Sequence, residues 1–372
     1  MLNIHRELFF TLKESDKNRP VEGFASYIAP VMSMSVYKNQ SWQNIEVLPY
    51  GPLPIYPDAK VLHYAQEIFE GLKAYWVDSK HPQLFRPHEN ATRFNHSARR
   101  MAMPEIPEEI FLEAIKAVVD LNKDFIPKES AKSLYLRPFM YASENQLGIR
   151  PCSEYTFMVL ASPTAGHFSD EARILIERHH VRAVSGGTGT AKTGGNYAAA
   201  QIASHKAKEL GLHQVLWLDA KERKYLEELS GMNIFFVHRD GSLHTPALTD
   251  TILNGITRKS LIELCQNELN IPLKEEKLAI DDILKGIQSG EFVEAFACGT
   301  AAIIAPIKSL VEEDGKEFSL KSSHGEITKK LRQQLLDIQE GRSQTRKKEW
   351  IVEVAPFIHE TKNKTDRYQI IS

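Results

Sequence analysis

At 372 residues the chain exceeds what one hydrophobic core usually serves, which predicts two domains with ample buried volume and no need of covalent staples. With 42% hydrophobic and 25% charged residues it reads as an ordinary globular protein, and a formal charge of −2 argues against a generic nucleic-acid binder. The cysteines Cys152, Cys265 and Cys298 are odd in number and far apart, so they fit reduced thiols in the cytoplasm, and no CxxC or Cys/His cluster marks a metal site.

In chain order, Arg6, Glu7, Lys13 and Glu14 surround the short apolar pair Phe9 and Phe10, which lacks the apolar run of a signal peptide. No segment reaches the roughly 18 consecutive apolar residues of a membrane span. The expectation is therefore a soluble, cytoplasmic protein. Pro107 opens a helix in which Ile110, Phe111, Ile115, Val118 and Val119 recur at helical spacing, and Leu134–Met140 and Tyr155–Leu160 read as strands. The loop-forming run Ser162-Pro163-Thr164-Ala165-Gly166 divides a domain of residues 1–165 from one of residues 175–372, with 166–174 as the interdomain loop. Beyond it, Ile174–Ile176, Val215–Leu218, Ile234–Val237 and Val293–Phe296 read as strands, and Arg239-Asp240-Gly241 as a hairpin turn. Asn196–Leu210, Thr257–Leu269 and Asp281–Gln288 read as helices. Both domains are α/β or α+β.

The chemistry concentrates in Ser185-Gly186-Gly187-Thr188-Gly189-Thr190-Ala191-Lys192-Thr193-Gly194-Gly195-Asn196-Tyr197, one lysine and one tyrosine among five glycines. Glycine lets a bulky ligand approach the main chain, so the lysine is presented to a ligand; composition alone equally allows a flexible surface loop. A nucleotide P-loop is disfavoured because Ala191 stands where its tight turn needs glycine, and two glycines follow where its helix should begin.

This segment resembles the branched-chain aminotransferases among the fold-type-IV pyridoxal-phosphate enzymes. The resemblance extends to Phe69-Glu70-Gly71-Leu72-Lys73-Ala74, Leu134-Tyr135-Leu136-Arg137-Pro138, Gln214–Leu218, Glu228–Asn233, Gly299-Thr300-Ala301 and Glu349-Trp350, in the family's order. It implies a smaller N-terminal α/β domain, a larger C-terminal domain with a barrel-like sheet, a homodimer, and transfer of the amino group of leucine, isoleucine or valine to 2-oxoglutarate, giving glutamate. A D-amino-acid aminotransferase or an aminodeoxychorismate lyase on the same fold is the rival, and a non-catalytic cofactor-binding protein the more distant one.

By the same resemblance Lys192 binds pyridoxal 5′-phosphate as a Schiff base and then moves the substrate proton, chemistry open to a primary amine. Tyr197 matches the partner of the cofactor's phenolic oxygen, although a tyrosine at a helix start also packs as core. Glu228 matches the partner of the pyridine nitrogen, with Glu227 as competitor, since neighbours on a strand face opposite sides. Arg93, Thr300 and the backbone of Ile256 and Thr257 match phosphate contacts, the last two at a helix N-terminus. Tyr64, Phe69, Tyr135 and Arg137 match the side-chain pocket, with Gly231 and Ala301 beside the substrate carboxylate. A loop near Leu147-Gly148-Ile149 is expected to reach the partner's pocket. Gly231 stands where some relatives carry threonine, and His167 where some carry tyrosine. Ala302 and Ala305 replace a cysteine pair that forms a regulatory disulfide in some relatives, so no such switch is expected, while Cys298 is expected to be an inert thiol.

Overall fold

The computed structural model describes residues 2–4, 21, 23–25, 27–165, 172–322, 325–345 and 347–356. The expected position of His167 lies outside the described residues. The chain forms two compact units, one of Met1–His167 with Asp337–Ser372, the other of Phe168–Leu336.

In the first unit the sheet order is Leu2–Ile4, Ile45–Pro49, Val31–Lys38, Tyr155–Thr164, Ser133–Ala142, Leu72–Tyr75, Gln83–Phe85 and Ile351–Glu353. The central pairing, Ser133–Ala142 against Tyr155–Thr164, is antiparallel along its whole length. Helices Pro87–Arg100 and Glu108–Leu121 bury their apolar stripes with it, bringing Phe94, Phe111 and Phe157 to ring separations of 5.4–5.8 Å. Each ring is fully buried, which is where the larger part of such burial energy, roughly 1.5–3 kcal/mol per side chain, is gained.

Two expectations change here. Ser162, Pro163 and Thr164 continue the strand instead of breaking it, pairing with Tyr135, Leu134 and Ser133. Pro163 is tolerated because the pairing with Val31–Lys38 on the other side reaches only Val159, so the strand no longer needs a donor there. The segment from Asp337 onward joins the first unit, not the second. Ile351 pairs with Phe85, Trp350 packs edge-on against the Phe85 ring at 5.6 Å, and Arg86 N donates to Trp350 O at 2.6 Å. Tyr75 Oη donates to Gln339 Oε1, and buried Glu340 accepts from Ser130 Oγ and Ala131 N.

In the second unit the order is Leu226–Leu229, Gln214–Leu218, Ala172–Glu177, Ile303–Val311, Phe292–Gly299, Asn233–His238, Leu243–Pro246 and Leu273–Glu276. Only three residues separate Leu226–Leu229, at one edge, from Asn233–His238, five positions along the sheet. Leu229 N donates to Met232 O across that connection. A flat sheet would hold adjacent strands about 4.8 Å apart and set these two beyond the reach of three residues, so the sheet curls into a barrel-like form. The helix Gln201–Glu209 buries Ala203 and Ala207 with Trp217 and Val215, and Ile280–Ser289 buries Ile283, Leu284 and Ile287 in a second apolar cluster of the same unit. The helix expected over 196–210 is two, Gly194–Ala199 and Gln201–Glu209, and that over 257–269 is Ile256–Leu264 with a wider π turn, Cys265–Leu269.

Candidate active site

The glycine-rich loop ends at Thr193, where Gly194–Ala199 begins a short helix. Buried Asn196 folds the loop back on that helix, donating through Nδ2 to Thr188 O at 2.8 Å and Ala191 O at 3.0 Å and accepting from Thr188 Oγ1 at 2.7 Å. With the loop so held, Lys192 Nζ donates to Tyr197 Oη at 2.7 Å. The amine and phenol are therefore presented as a pair.

Glu228 lies on the buried strand Leu226–Leu229. Its Oε1 meets Arg182 Nη2 at 2.9 Å and accepts from Leu253 N at 3.2 Å, while Oε2 accepts from Asn233 Nδ2 at 3.1 Å. Burial pushes this carboxyl up to about 7; Arg182, the Leu253 amide and Lys192 oppose the rise, and Glu227 adds to it. Glu227 takes a different partner, accepting from Thr251 Oγ1 at 2.5 Å. Burial raises its carboxyl as well. Of the two neighbours, Glu228 is the one set among Arg182, Asn233 and Lys192.

Asn233 also donates to Leu253 O at 3.1 Å. A Cβ on Gly255 would overlap Asn233 Oδ1, so only glycine admits this clamp directly before the helix Ile256–Leu264. Gly255 has no side chain with which to cap that helix, no acidic residue occupies its first turn, and Ile256 and Thr257 are buried at its start. Such an N-terminus is an anion-binding element. Thr300 and Ala301 lie in the turn between Phe292–Gly299 and Ile303–Val311, followed by Ile303 at φ +65°, a conformation costly for a β-branched residue. A Cβ on Gly299 would be 3.5 Å from Gly231 O, so the Ser230-Gly231-Met232 connection lies against this turn.

The remaining predicted residues belong to the first unit. Arg137 donates through Nη2 to Tyr135 Oη at 2.7 Å, and its guanidinium carbon lies 4.6 Å from the centroid of Phe69, so these three form one cluster. Gly71 completes it, since a Cβ there would overlap Tyr135 Oη. Tyr64 is placed differently: it is exposed at the end of Lys60–Tyr64, and its hydroxyl donates to Leu147 O at 2.5 Å. Arg93 is gripped by fully buried Glu70, with Nε on Oε1 at 2.6 Å and Nη2 on Oε2 at 2.8 Å.

Sequence reasoning missed Arg182, Asn233, Thr251 and Glu70 as organisers of these groups. Glu70 and Asn233 stood inside quoted motifs, but Arg182 follows Arg178, His179 and His180 and reads as one more surface charge.

The amino-transferase class IV family matches residues 67–310. The chain is 45% identical over 326 residues to branched-chain-amino-acid transaminase 1 of Bacillus subtilis (strain 168), covering 86% of this chain and 91% of that one. It is 44% identical to the branched-chain-amino-acid aminotransferase of Mycolicibacterium smegmatis, covering 86% and 89%. Among solved structures, the T.th. branched-chain amino acid aminotransferase complexed with N-(5′-phosphopyridoxyl)-L-glutamate aligns with a TM-score of 0.72 at 28% identity, covering 90% of this chain and all of that one. The branched-chain aminotransferase of Thermoproteus uzoniensis with norvaline aligns at 0.71 and 28%, covering 87% and all of that chain. With a family match spanning most of its length and relatives this similar along nearly their whole chains, the protein belongs to the class IV aminotransferases.

Proposed function

We propose that the protein is a pyridoxal-phosphate-dependent branched-chain-amino-acid transaminase that passes the amino group to 2-oxoglutarate. The observation that carries this reading is the hydrogen-bonded pair Lys192 and Tyr197 with the buried Glu228 carboxylate in its electrostatic reach, on a chain whose relatives are branched-chain transaminases. The residues fit the cofactor: a primary amine for its aldehyde, a phenol for its phenolic oxygen, a carboxyl for its ring nitrogen, and a helix N-terminus without a capping side chain for its phosphate. When bound, the cofactor supplies an electron-withdrawing ring that stabilises charge on the substrate carbon.

Lys192 would hold the cofactor through its amine, and as a free amine it would carry the proton from the substrate carbon. Tyr197 would hydrogen-bond the phenolic oxygen, and Glu228 would favour a proton on the ring nitrogen. The amides of Ile256 and Thr257, with Thr300 and Arg93, are assigned to the phosphate. Phe69, Tyr135, Arg137 and Tyr64 are assigned to the substrate side chain, and Gly231 and Ala301 to its carboxylate. A solved relative holds norvaline and another holds 4-methylvaleric acid, both with aliphatic side chains.

The working form is a homodimer in the cytoplasm. The first unit exposes Tyr50, Ile55, Tyr56, Leu62, Leu147 and Ile149, and the first three of these line an open pocket of about 570 Å³ with Met32, Met34, Leu48 and Leu53. Such a surface is the kind that a second copy covers. The cysteines are free, as in reducing compartments, and among the described residues no helix is long and apolar enough to cross a membrane.

Purified protein assayed with L- and D-amino acids and 2-oxoglutarate tests the reading. L-leucine, L-isoleucine and L-valine should be the preferred donors. Preference for D-amino acids, or loss of the amino group without transfer, would assign the chain to another branch of the family.

A further inference from the structure

We propose that Arg182 is a positioning residue that sets the charge of Glu228 and fixes that carboxylate in register with the lysine-bearing loop. The inference rests on Glu228 serving the cofactor ring, and it assigns the control of that residue to a second one. One guanidinium nitrogen, Arg182 Nη2, contacts three separate elements. It lies 2.9 Å from Glu228 Oε1, donates to Gly189 O in the glycine-rich loop at 3.2 Å, and donates to Thr251 O in the segment leading to the helix Ile256–Leu264. The side chain is almost wholly buried, and its Nε is among the buried polar atoms that find no partner.

The loop is shaped for this contact. A Cβ on Gly189 would lie 2.7 Å from Thr251 Cα and 2.8 Å from Ala183 Cβ, so glycine is required for the loop to lie against Thr251. The same two segments are joined again where Ser185 Oγ and Gly186 N donate to Asp250 Oδ2 at 2.7 and 2.9 Å. Placing an arginine where three elements meet costs desolvation that a surface charge avoids, so its position is warranted by what it holds.

The ionisable groups acting on Glu228 are Arg182 and Lys192, which favour its anion, and Glu227, which opposes it; Cys298 also feels its charge. Of these, Arg182 is in direct contact with the carboxylate. Lys192 is engaged with Tyr197. Removing Arg182 leaves a buried carboxyl with the neutral donors Asn233 Nδ2 and Leu253 N, which orient it without supplying charge. An opposite charge in contact commonly lowers a carboxyl by about one to three pH units, so its loss should raise the Glu228 midpoint by that amount.

The test follows Glu228 protonation in the full-length protein, with and without pyridoxal phosphate, by difference infrared spectroscopy of the carboxylic C=O band that Glu228→Gln abolishes. In Arg182→Met the midpoint should rise by about one to three pH units. Arg182→Gln serves where that variant does not fold, because its amide still donates to a carbonyl. Arg182→Lys retains the charge and should stay within about one unit of the wild type. An unchanged midpoint in the neutral variants, or a rise in Arg182→Lys equal to that in Arg182→Met, overturns the proposal. Failure of the functional reading shows differently, as a wild-type protein that acquires no Lys192-dependent cofactor absorption, and the carboxyl titration remains readable in that case.

Discussion

Each unit contains a buried glutamate paired with a largely buried arginine, Glu70 with Arg93 and Glu228 with Arg182, and the two pairs are built differently. Glu70 grips Arg93 with both oxygens, at 2.6 and 2.8 Å, and also accepts from Asn90 Nδ2 at 2.7 Å. Glu228 offers Arg182 a single contact at 2.9 Å, and its amide donors stand at 3.1 and 3.2 Å. Short, two-point pairing spends the carboxylate on fixing a guanidinium in place. Burial pushes Glu228 up to about 7, and its longer, one-point pairing with Arg182 only partly opposes that rise, leaving it the capacity to answer charge on a ligand. On this comparison Glu70 anchors Arg93 in place, and Glu228 keeps the freedom that the role proposed for it requires.

The largest effect is expected at Lys192. Lys192→Ala should abolish transamination and the lysine-dependent cofactor absorption while circular dichroism shows the fold retained. The proton-transfer component alone is worth about 10²–10⁴ in rate. Near-normal turnover without added amine would refute the assignment.

Next, the two glutamates should fail in opposite ways. Glu228→Gln should slow both half-reactions in single turnover by about 10²–10³ with the cofactor retained, since it removes preorganised charge. Glu70→Gln should cost stability, about 3–5 kcal/mol for a buried ion pair that loses one partner, and weaken cofactor affinity, with near-normal single-turnover rates at saturating cofactor. The comparison breaks if Glu70→Gln slows chemistry at saturation while Glu228→Gln only destabilises.

What the sequence revealed about these pairs was uneven, for a physical reason. Lys192 and Tyr197 are close along the chain, so the loop and the short helix bring them together locally, and strands such as Ile234–Val237 stood out as short apolar runs. Arg182 and Glu228 meet only through the folded sheet, and no periodicity marks such a pair. Pro163 reads as a breaker because its tolerance depends on which neighbour it lacks. Asp337 onward was misassigned because the pairing of Ile351 with Phe85 joins residues far apart in the sequence.

A smaller effect concerns the neighbour of Glu228. Burial raises Glu227 in the folded protein, and Thr251 and Arg182 only partly offset it. A carboxyl raised on folding holds its proton longer in the native state, so its contribution is fully present below the unfolded value and is lost as pH rises through the folded one. For Glu228 that window runs from 4.5 to about 7. Cofactor-free protein should therefore lose stability across it. Glu227→Gln keeps an acceptor for Thr251 and removes one titration, so it should be more stable than the wild type at high pH and converge with it at low pH. Denaturant midpoints at low and at high pH check this; a gain that grows toward low pH would reverse the assigned sign.

The smallest expected effect is at Cys298, which tests how enclosed the Glu228 neighbourhood is. Cys298 pairs with Asn233, the residue that donates to Glu228, and with Ile304 on its other side. Only 1% of its surface is exposed. Burial pushes the thiol well above its ordinary value, Arg258 opposes the rise, and the charge of Glu228 adds a smaller push in the same direction as burial. Since the thiolate is the reactive form, alkylation and oxidation should both be slow. Cys265 is also buried, with its thiol pushed up to about 12, and Ala302 and Ala305 supply no sulfur beside Cys298. Mild peroxide should therefore leave activity nearly intact, and any slow loss should track modification of Cys298 by mass spectrometry. In Glu228→Gln the thiol should alkylate slightly faster, because one negative charge no longer opposes thiolate formation, while burial still dominates. Fast inactivation reversed by dithiol, with a mapped intrachain disulfide, would show the region to be open, and Glu228 would then lose the enclosure that holds it near neutrality.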